Sequence, residues 1–230
     1  MVGTKTPRNL ILASLPDRDL ILLNKDLIPL PMPRGMDVEQ ADRRIANVYF
    51  PETGFISIVD DIGADRSAEV GLVGREGMSG LAIVFGEERS AYGAYVQLPG
   101  TCQRLPAAKL RAAMEKSPAL RQALMRYAHR FLGQAAHTAS TNARASLDER
   151  LARWLLMAHD RVDGDEIALT HECLSLMLGV RRAGVTDALA VMSRRGLIGY
   201  RRGVITMLDR EGMQRRAKGA YGKAERKMLI

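Results

Sequence analysis

The chain has 230 residues, of which 47% are hydrophobic and 26% are charged. This composition is typical of a folded globular protein and excludes an intrinsically disordered or collagen-like chain. The two cysteines, Cys102 and Cys173, form no CxxC pair, so the sequence supports neither a structural zinc site nor a cysteine-held iron-sulfur cluster. No secretory signal is found, and no apolar run approaches the ~18 residues that a membrane-spanning helix needs. We therefore expect a cytoplasmic protein that is not embedded in a membrane.

The formal net charge of +8 is unevenly distributed along the chain. Residues 150–230 contain 16 Lys and Arg against 9 Asp and Glu, a net charge of +7, whereas residues 1–149 carry a net charge of only +1. Such asymmetry is typical of a polyanion-binding module joined to a neutral one, although a basic region can also serve only as a solubilising surface.

Glycines alternate with short β-prone runs in the N-terminal half of the chain. Runs at 55–59, 70–73 and 94–98 are separated by turn signals, a spacing typical of a small β-roll or barrel. The first ~25 residues are expected to carry a short helix. We predict a jelly-roll-like β-roll over residues 1–116.

A long helix is predicted over residues 117–145. Ser117 fits an N-cap and Pro118 fits the first helical position. Two apolar faces run along this helix, one with the 4-3-4 spacing of a coiled-coil seam and one rich in alanine. We expect one face to pack on the β-roll and the other to contact a second copy of the chain; the alternative is a helix buried within its own chain. The seam residues predicted to form the dimer interface are Leu120, Leu124, Tyr127 and Phe131.

A further domain is predicted over residues 146–230. Ser146 and Glu149 have the spacing of a capping box that opens a helix. Trp154 lies in this helix among apolar neighbours, so we expect it to be a core anchor rather than a platform for a nucleic-acid base.

The remainder of this domain has the pattern of a winged helix-turn-helix. Thr170 fits the N-cap of a short helix, and Gly179 lies in a tight turn before a second helix over about residues 181–195. Two β-prone runs then flank Arg201 and Arg202, which predicts a hairpin with a basic tip. The fold class is therefore α+β, with the β-roll, the long dimerisation helix and the winged helix-turn-helix in that order.

This order of parts, and above all the sequence from Leu174 to Leu197, resembles the Crp/Fnr family of bacterial transcription regulators. The resemblance implies a dimeric regulator that binds double-stranded DNA sequence-specifically, with RNA polymerase as a further candidate partner. It also bears on which residues contact DNA. The predicted DNA-binding residues are Thr170, His171, Arg181, Arg182, Thr186, Asp187, Arg201 and Arg202.

The recognition helix departs from the family's usual Ser-Arg-Glu-Thr-Val-x-Arg opening. Arg182 matches the base-reading arginine of the family, whose guanidinium can pair with guanine O6 and N7. Ala183 stands at the position of the glutamate and Asp187 at that of the second arginine, so the resemblance does not imply the family's usual half-site. His171 fits either a phosphate contact or a solvated residue at the start of a helix.

The resemblance implies that the β-roll is a sensor domain, but it is weaker there. Arg89 and Ser90 match the pair that holds the cyclic phosphate in nucleotide-binding members, whereas the ribose-binding glutamate falls on Gly80. The adenine-contacting pair aligns with Ala135 and Ala136, which offer no side-chain hydrogen bond. Gly80, Arg89 and Ser90 are therefore candidate effector-pocket residues, but we expect no control by cyclic AMP and no bound cofactor. Arg89 is equally consistent with a surface arginine in a hairpin.

Two other function classes are alternatives to a regulator. A cupin-like metalloenzyme needs histidines inside the β-roll, and residues 45–105 contain none. An effector-binding or protein-interaction module would leave the basic C-terminal region without specific DNA binding. We therefore expect no enzyme activity, no metal site and, as the main hypothesis, a DNA-binding regulator.

Overall fold

The computed structural model describes residues 7–61 and 67–228. Packing divides the chain into two compact units, one formed by residues up to 58 together with 73–131, and the other by residues 59–72 together with 132–230. The second unit thus takes in part of the long helix and a segment of the N-terminal half. The three-part division at residues 116 and 145 stays a prediction.

The helices and strands follow in the order expected for a β-roll, a long helix and a winged helix-turn-helix. In the N-terminal part the elements are α1 (Leu10–Ala13), α2 (Asp17–Asn24), β1 (Ile28–Met32), β2 (Asp37–Glu39), β3 (Asn47–Asp61), β4 (Ser67–Val73), α3 (Leu81–Val84), β5 (Gly93–Pro106) and α4 (Ala107–Lys116). They are followed by α5 (Pro118–Arg144), α6 (Leu147–His159), β6 (Glu166–Ile167), α7 (His171–Leu178), α8 (Arg182–Arg194), β7 (Ile198–Arg201), β8 (Val204–Met207), α9 (Arg210–Arg216) and α10 (Lys223–Met228).

The predicted β-roll is built on a five-stranded sheet. Its strand order is β1-β5-β3-β4, with β2 also paired to β5. β1 and β5 are antiparallel, and Ile28 lies opposite Arg104 while Met32 lies opposite Gly100. Apolar side chains from these strands and from α4 form the core of the first unit. The core includes Val48, Phe50, Phe55, Ile56, Val96, Leu105 and Leu110, each with no exposed surface.

One face of α5 is covered by its own chain. The four residues predicted as the dimer seam, Leu120, Leu124, Tyr127 and Phe131, have exposed fractions of 0–8%. The Tyr127 hydroxyl donates a hydrogen bond to the Met78 carbonyl oxygen at 3.0 Å. These side chains follow the spacing of a seam because they pack into the first unit, so a second copy of the chain cannot reach them.

A different stripe of α5 is free in the single chain. Leu132 is 66% exposed and Met125 is 46% exposed, which is unusual for large apolar side chains on a helix of 27 residues. The stripe has the alternating three- and four-residue spacing of a heptad repeat. Its members are all exposed and are Gln122, Met125, His129, Leu132, Ala136, Ala139 and Ala143.

The second unit contains the winged helix-turn-helix. α6 begins with the predicted capping box, in which the Ser146 side chain accepts from the Glu149 amide and the Glu149 carboxylate accepts from the Ser146 amide. β6, β8 and β7 form a small antiparallel sheet in that order. Trp154 is 4% exposed and donates from Nε1 to Glu69 Oε1 at 2.7 Å, as expected for a core anchor with a satisfied polar end. Two further helices, α9 and α10, follow the wing and are not predicted from the sequence.

Gly54 is required at its position for two separable reasons. Its φ is +69°, and a Cβ there would lie 2.5 Å from the Leu98 carbonyl oxygen and 2.6 Å from that of Pro99. Gly54→Ala should therefore lower the free energy of unfolding by about 3 kcal/mol, from left-handed strain plus a clash with main-chain atoms that cannot move aside. Gly86, with φ +90° and no atom within 4 Å, is the matched control, and its alanine variant should lose only about 1 kcal/mol. Urea unfolding measures both, and equal losses would show that the contact with β5 is unimportant.

Candidate nucleic-acid interface

Buried residues fix the orientation of α8. Val185, Leu189 and Met192 recur at helical spacing and are 0–2% exposed. α7 is capped by Thr170, whose Oγ1 accepts from the Cys173 amide at 3.2 Å. Gly179 ends α7 with φ +62°, a conformation that glycine adopts without steric cost. With one face of α8 buried in this way, its opposite face is held out to solvent.

The solvent face of α8 presents most of the residues predicted to contact DNA. Arg181, Arg182, Thr186 and Asp187 are all exposed. Arg182 is the first residue of the helix, the end from which a recognition helix contacts base edges in the major groove. Asp187 also lines a shallow apolar groove against the start of α6, so it lies toward one flank of this face.

His171 connects three of the elements that surround this face. Its Nδ1 lies 2.8 Å from Thr186 Oγ1 in α8, and its ring lies 4.5 Å from the ring of Tyr200 in β7. Thr186 uses its own hydroxyl hydrogen toward the Arg182 carbonyl oxygen at 3.1 Å, so His171 Nδ1 is the donor. Burial, and secondarily the charge of Arg182, lower the pKa of His171, which favours the neutral ring. His171 of α7 is thus half-buried and contacts both α8 and the wing, rather than being freely solvated.

The wing is a tight hairpin with an arginine at its tip. β7 and β8 pair from Ile198 opposite Met207 to Arg201 opposite Val204, and Gly203 closes the turn with φ +75°. Arg202 is exposed in this turn. Arg201 is also exposed, but its Nη2 donates to Glu166 Oε1 at 2.8 Å. The two arginines predicted to act together therefore differ, because only Arg201 has its charge paired in the wing.

Two of the three effector-pocket candidates contact a carboxyl group of the chain itself. The Gly80 amide donates to Glu39 Oε1 at 2.6 Å, and the Ser90 side chain also forms a hydrogen bond with Glu39. Arg89 takes no part, because it is exposed and its Nη1 donates to the Asp42 carbonyl oxygen at 2.7 Å. The structure therefore brings Gly80 and Ser90 together with Glu39, a residue that no sequence motif indicates.

Opposing effects act on the ionised form of Glu39, because burial disfavours it and hydrogen bonds favour it. Burial raises its pKa, while the hydrogen bonds from Ser90 and Gly80 lower it, and burial dominates. Gly80 has φ +78°, and a Cβ there would lie 2.6 Å from Val48 Cγ1. Only glycine therefore fits at the position whose amide faces Glu39, and the contact depends on that main-chain geometry.

Within residues 7–61 and 67–228, no group of three or more His, Cys, Asp or Glu side chains could hold a metal ion. In the same part of the chain, no helix is long and apolar enough to cross a membrane.

Comparison with known proteins identifies the C-terminal domain and the fold. Residues 149–216 match the model of the Crp-like helix-turn-helix domain, and no curated protein matches the chain. FixK2 from Bradyrhizobium japonicum has a TM-score of 0.70 at 16% identity, over 83% of this chain and 96% of its own. Two regulators from Thermus thermophilus are also similar to this chain. TTHB099, of the CRP family, has a TM-score of 0.68 at 20% identity, over 84% of this chain and 98% of its own. TTHA1359, of the CRP/FNR family, has a TM-score of 0.65 at 21% identity, over 84% of this chain and 100% of its own.

The raised pKa of Glu39 predicts how its contribution to stability changes with pH. A carboxyl group whose pKa is higher in the folded protein takes up a proton on folding between the unfolded and folded values. Its contribution is therefore largest below the unfolded pKa and is lost as pH rises through the folded pKa. The stability of the wild type relative to Glu39→Gln should accordingly increase from pH 7 toward pH 4.5, measured by urea unfolding of both proteins. A difference that is constant with pH, or that reverses, would contradict the assignment.

Proposed function

We propose that the chain, which has the fold of Crp/Fnr regulators and a Crp-like helix-turn-helix domain, is a transcriptional regulator of this type that binds operator DNA as a homodimer without cyclic AMP. The observation that carries the proposal is the solvent face of α8, which presents Arg181 and Arg182 from a helix whose other face is anchored in the core. The net charge of +7 over residues 150–230 supports it, because phosphate attraction supplies much of the affinity of DNA-binding proteins.

Base reading and phosphate binding are divided between α8 and the wing in this proposal. Arg182 lies in the first turn of α8 and reaches the floor of the major groove, where arginine pairs with guanine. Ala183 and the Thr186 methyl group offer apolar contacts suited to a thymine methyl, because the Thr186 hydroxyl is already engaged by His171 and the Arg182 carbonyl. Arg202 in the wing contacts the sugar-phosphate backbone. The first residues of α7, Thr170 and His171, lie where a helix start supports a phosphate.

The dimer contact in this proposal is the exposed stripe of α5 rather than the buried seam. Met125 and Leu132 supply large apolar side chains, and the small residues Ala136, Ala139 and Ala143 allow two helices to approach closely. A two-fold axis along paired helices would place two copies of α8 for two half-sites of an operator. RNA polymerase is the further partner that the family implies for a regulator that activates transcription.

Glu39 supports the proposed independence from cyclic AMP. A carboxyl group bonded to the Gly80 amide and the Ser90 side chain occupies the donors that an anionic ligand would need. When ionised, it also repels a phosphate. Arg89, the remaining candidate, is engaged with the Asp42 carbonyl instead. No catalytic step is assigned to any residue of the chain.

DNA selection from a random pool should enrich a two-fold symmetric site, and two variants should then separate base reading from phosphate binding. Arg182→Ala should cost about 1–3 kcal/mol on the selected site and relax the preference at one base pair, with little change on random DNA. Arg202→Ala should weaken selected and random DNA alike and flatten the salt dependence. Fluorescence anisotropy at several salt concentrations measures both variants.

Arg215→Ala is a suitable control, because Arg215 is an exposed arginine of α9 that pairs with Asp209 and Glu211. A pool that shows no enrichment would refute the proposed function. Loss of sequence preference in the wing variant, with preference kept in Arg182→Ala, would assign base reading to the wing.

Leu132→Glu should convert the dimer to a monomer, because two carboxylates would face each other in the apolar interface formed by the exposed stripe. Arg130→Glu, on the flank of the same helix, is the matched control and should remain dimeric. Sedimentation equilibrium measures the mass, and circular dichroism confirms that both variants stay folded. A folded Leu132→Glu variant with an unchanged dimer mass would exclude the exposed stripe as the interface.

A further inference from the structure

The chain continues past the recognised DNA-binding domain into a segment that packs back on it. The Crp-like helix-turn-helix match ends at residue 216, and residues 217–228, which we name the strap, include α10. Ala217, Ala220 and Met228 of the strap are 0–8% exposed. The strap is therefore an integral part of the packing in the second unit and not a loose tail.

The strap is joined to α6 by a buried ion pair. Arg153 Nε donates to Glu225 Oε1 at 2.9 Å, and the two side chains are only 6% and 3% exposed. The other carboxylate oxygen, Oε2, accepts from the Gly222 amide at 2.8 Å. Arg153 Nη2 has no hydrogen-bond partner among the described residues, so Glu225 is the main compensation for a charge held away from water.

The strap is also joined to the C-terminal half of α5. His137 Nε2 lies 2.8 Å from the Ala220 carbonyl oxygen and is the donor to it. Arg153 uses a second nitrogen, Nη1, to reach Thr138 Oγ1 in α5 at 3.2 Å. Arg153 of α6 therefore contacts α5 and the strap at the same time.

We propose that Glu225 is a positioning residue that fixes the angle between α5 and the DNA-binding domain, and thereby the spacing of half-sites that the dimer accepts. This inference rests on the proposed function, because it assumes that two chains pair through α5 and bind two half-sites. In such a dimer the separation of the two α8 helices is set by how each DNA-binding domain is held on its own α5. Half-site spacing in turn reflects that separation.

If the ion pair only stabilised the fold, its loss would have a different effect on DNA binding. Buried ion pairs often add little net stability compared with apolar side chains of similar volume. If Glu225 acted only on stability, its loss would weaken every DNA complex in proportion to the fraction unfolded. A positioning role instead leaves the affinity for one half-site intact and changes the discrimination between spacings.

The test uses the full chain with Glu225→Gln, which keeps the side-chain shape and removes the charge. Because an unpaired Arg153 could prevent folding, the double variant Arg153→Met with Glu225→Met is made in parallel, which removes both members of the ion pair so that neither is left as an unpaired buried charge. Glu211→Gln, at an exposed glutamate of α9, is the control. Affinities are measured for a single half-site, for the selected operator, and for operators with two base pairs added to or removed from the spacer.

We expect the folded Glu225 variants to bind a single half-site within about twofold of the wild type, while the preference for the selected spacing falls at least tenfold. The control should keep the wild-type preference. An unchanged preference in a folded variant, or an equal loss on half-site and full operator, would overturn the proposal.

A second measurement does not depend on DNA. Spin labels at Ser140→Cys in α5 and Ser193→Cys in α8, in a Cys173→Ser background diluted with unlabelled chains, should give one narrow distance distribution. Glu225→Gln should broaden it. Failure to find any operator would then refute the proposed function alone, whereas an unbroadened distribution would refute the role of the strap.

Discussion

The long helix α5 has to satisfy different neighbours on different faces, and the rest of the structure is arranged around that constraint. With 3.6 residues per turn, 27 residues provide several turns on which separate stripes can be built. Tyr127 fixes the first half of the helix through the Met78 carbonyl. Gln134 fixes the second half, because its side chain accepts from the Leu72 amide at 2.7 Å and donates to the Leu72 carbonyl at 3.3 Å. With these contacts made inside one chain, the stripe through Met125 and Leu132 stays exposed, which is why it is the contact in the proposed dimer.

The two faces of α5 also show why periodicity identifies the helix but not which neighbour covers each of its faces. A 4-3-4 apolar spacing is the same whether the covering surface is a second helix or the chain's own β-sheet. Leu120 and Leu124 belong to the more hydrophobic of the two stripes of α5, and the first unit buries them completely. The exposed stripe contains Gln122, His129 and three alanines, so it has a lower apolar content and gives a weaker pattern. Burial of a helix face is a property of the tertiary structure, and spacing alone does not report which neighbour provides it.

Local signals predicted the helix-turn-helix well. The capping box at Ser146, the N-cap at Thr170 and the glycine at 179 each act within a few residues, and all three adopt the expected geometry. The contacts that the sequence could not reveal join residues that are far apart in the chain. Glu39 meets Gly80 across 41 positions and Arg153 meets Glu225 across 72. Each involves a common charged residue in an unremarkable local context, and its importance arises only when the fold removes it from water.

The same long-range pairs change what the basic charge of the C-terminal domain means. The count of 16 basic residues treats all of them as available to DNA, but several are occupied within the domain. Arg153 pairs with Glu225, Arg210 with Asp160 and Arg216 with Asp148, and these pairs hold the strap and α9 against α6. Salt dependence reports the cations that replace counterions at phosphates, so in the proposed DNA complex it depends on the exposed arginines of α8 and the wing and not on the net charge. Part of the basic excess thus joins the C-terminal segments to the domain, and only the remainder is available to the proposed recognition surface.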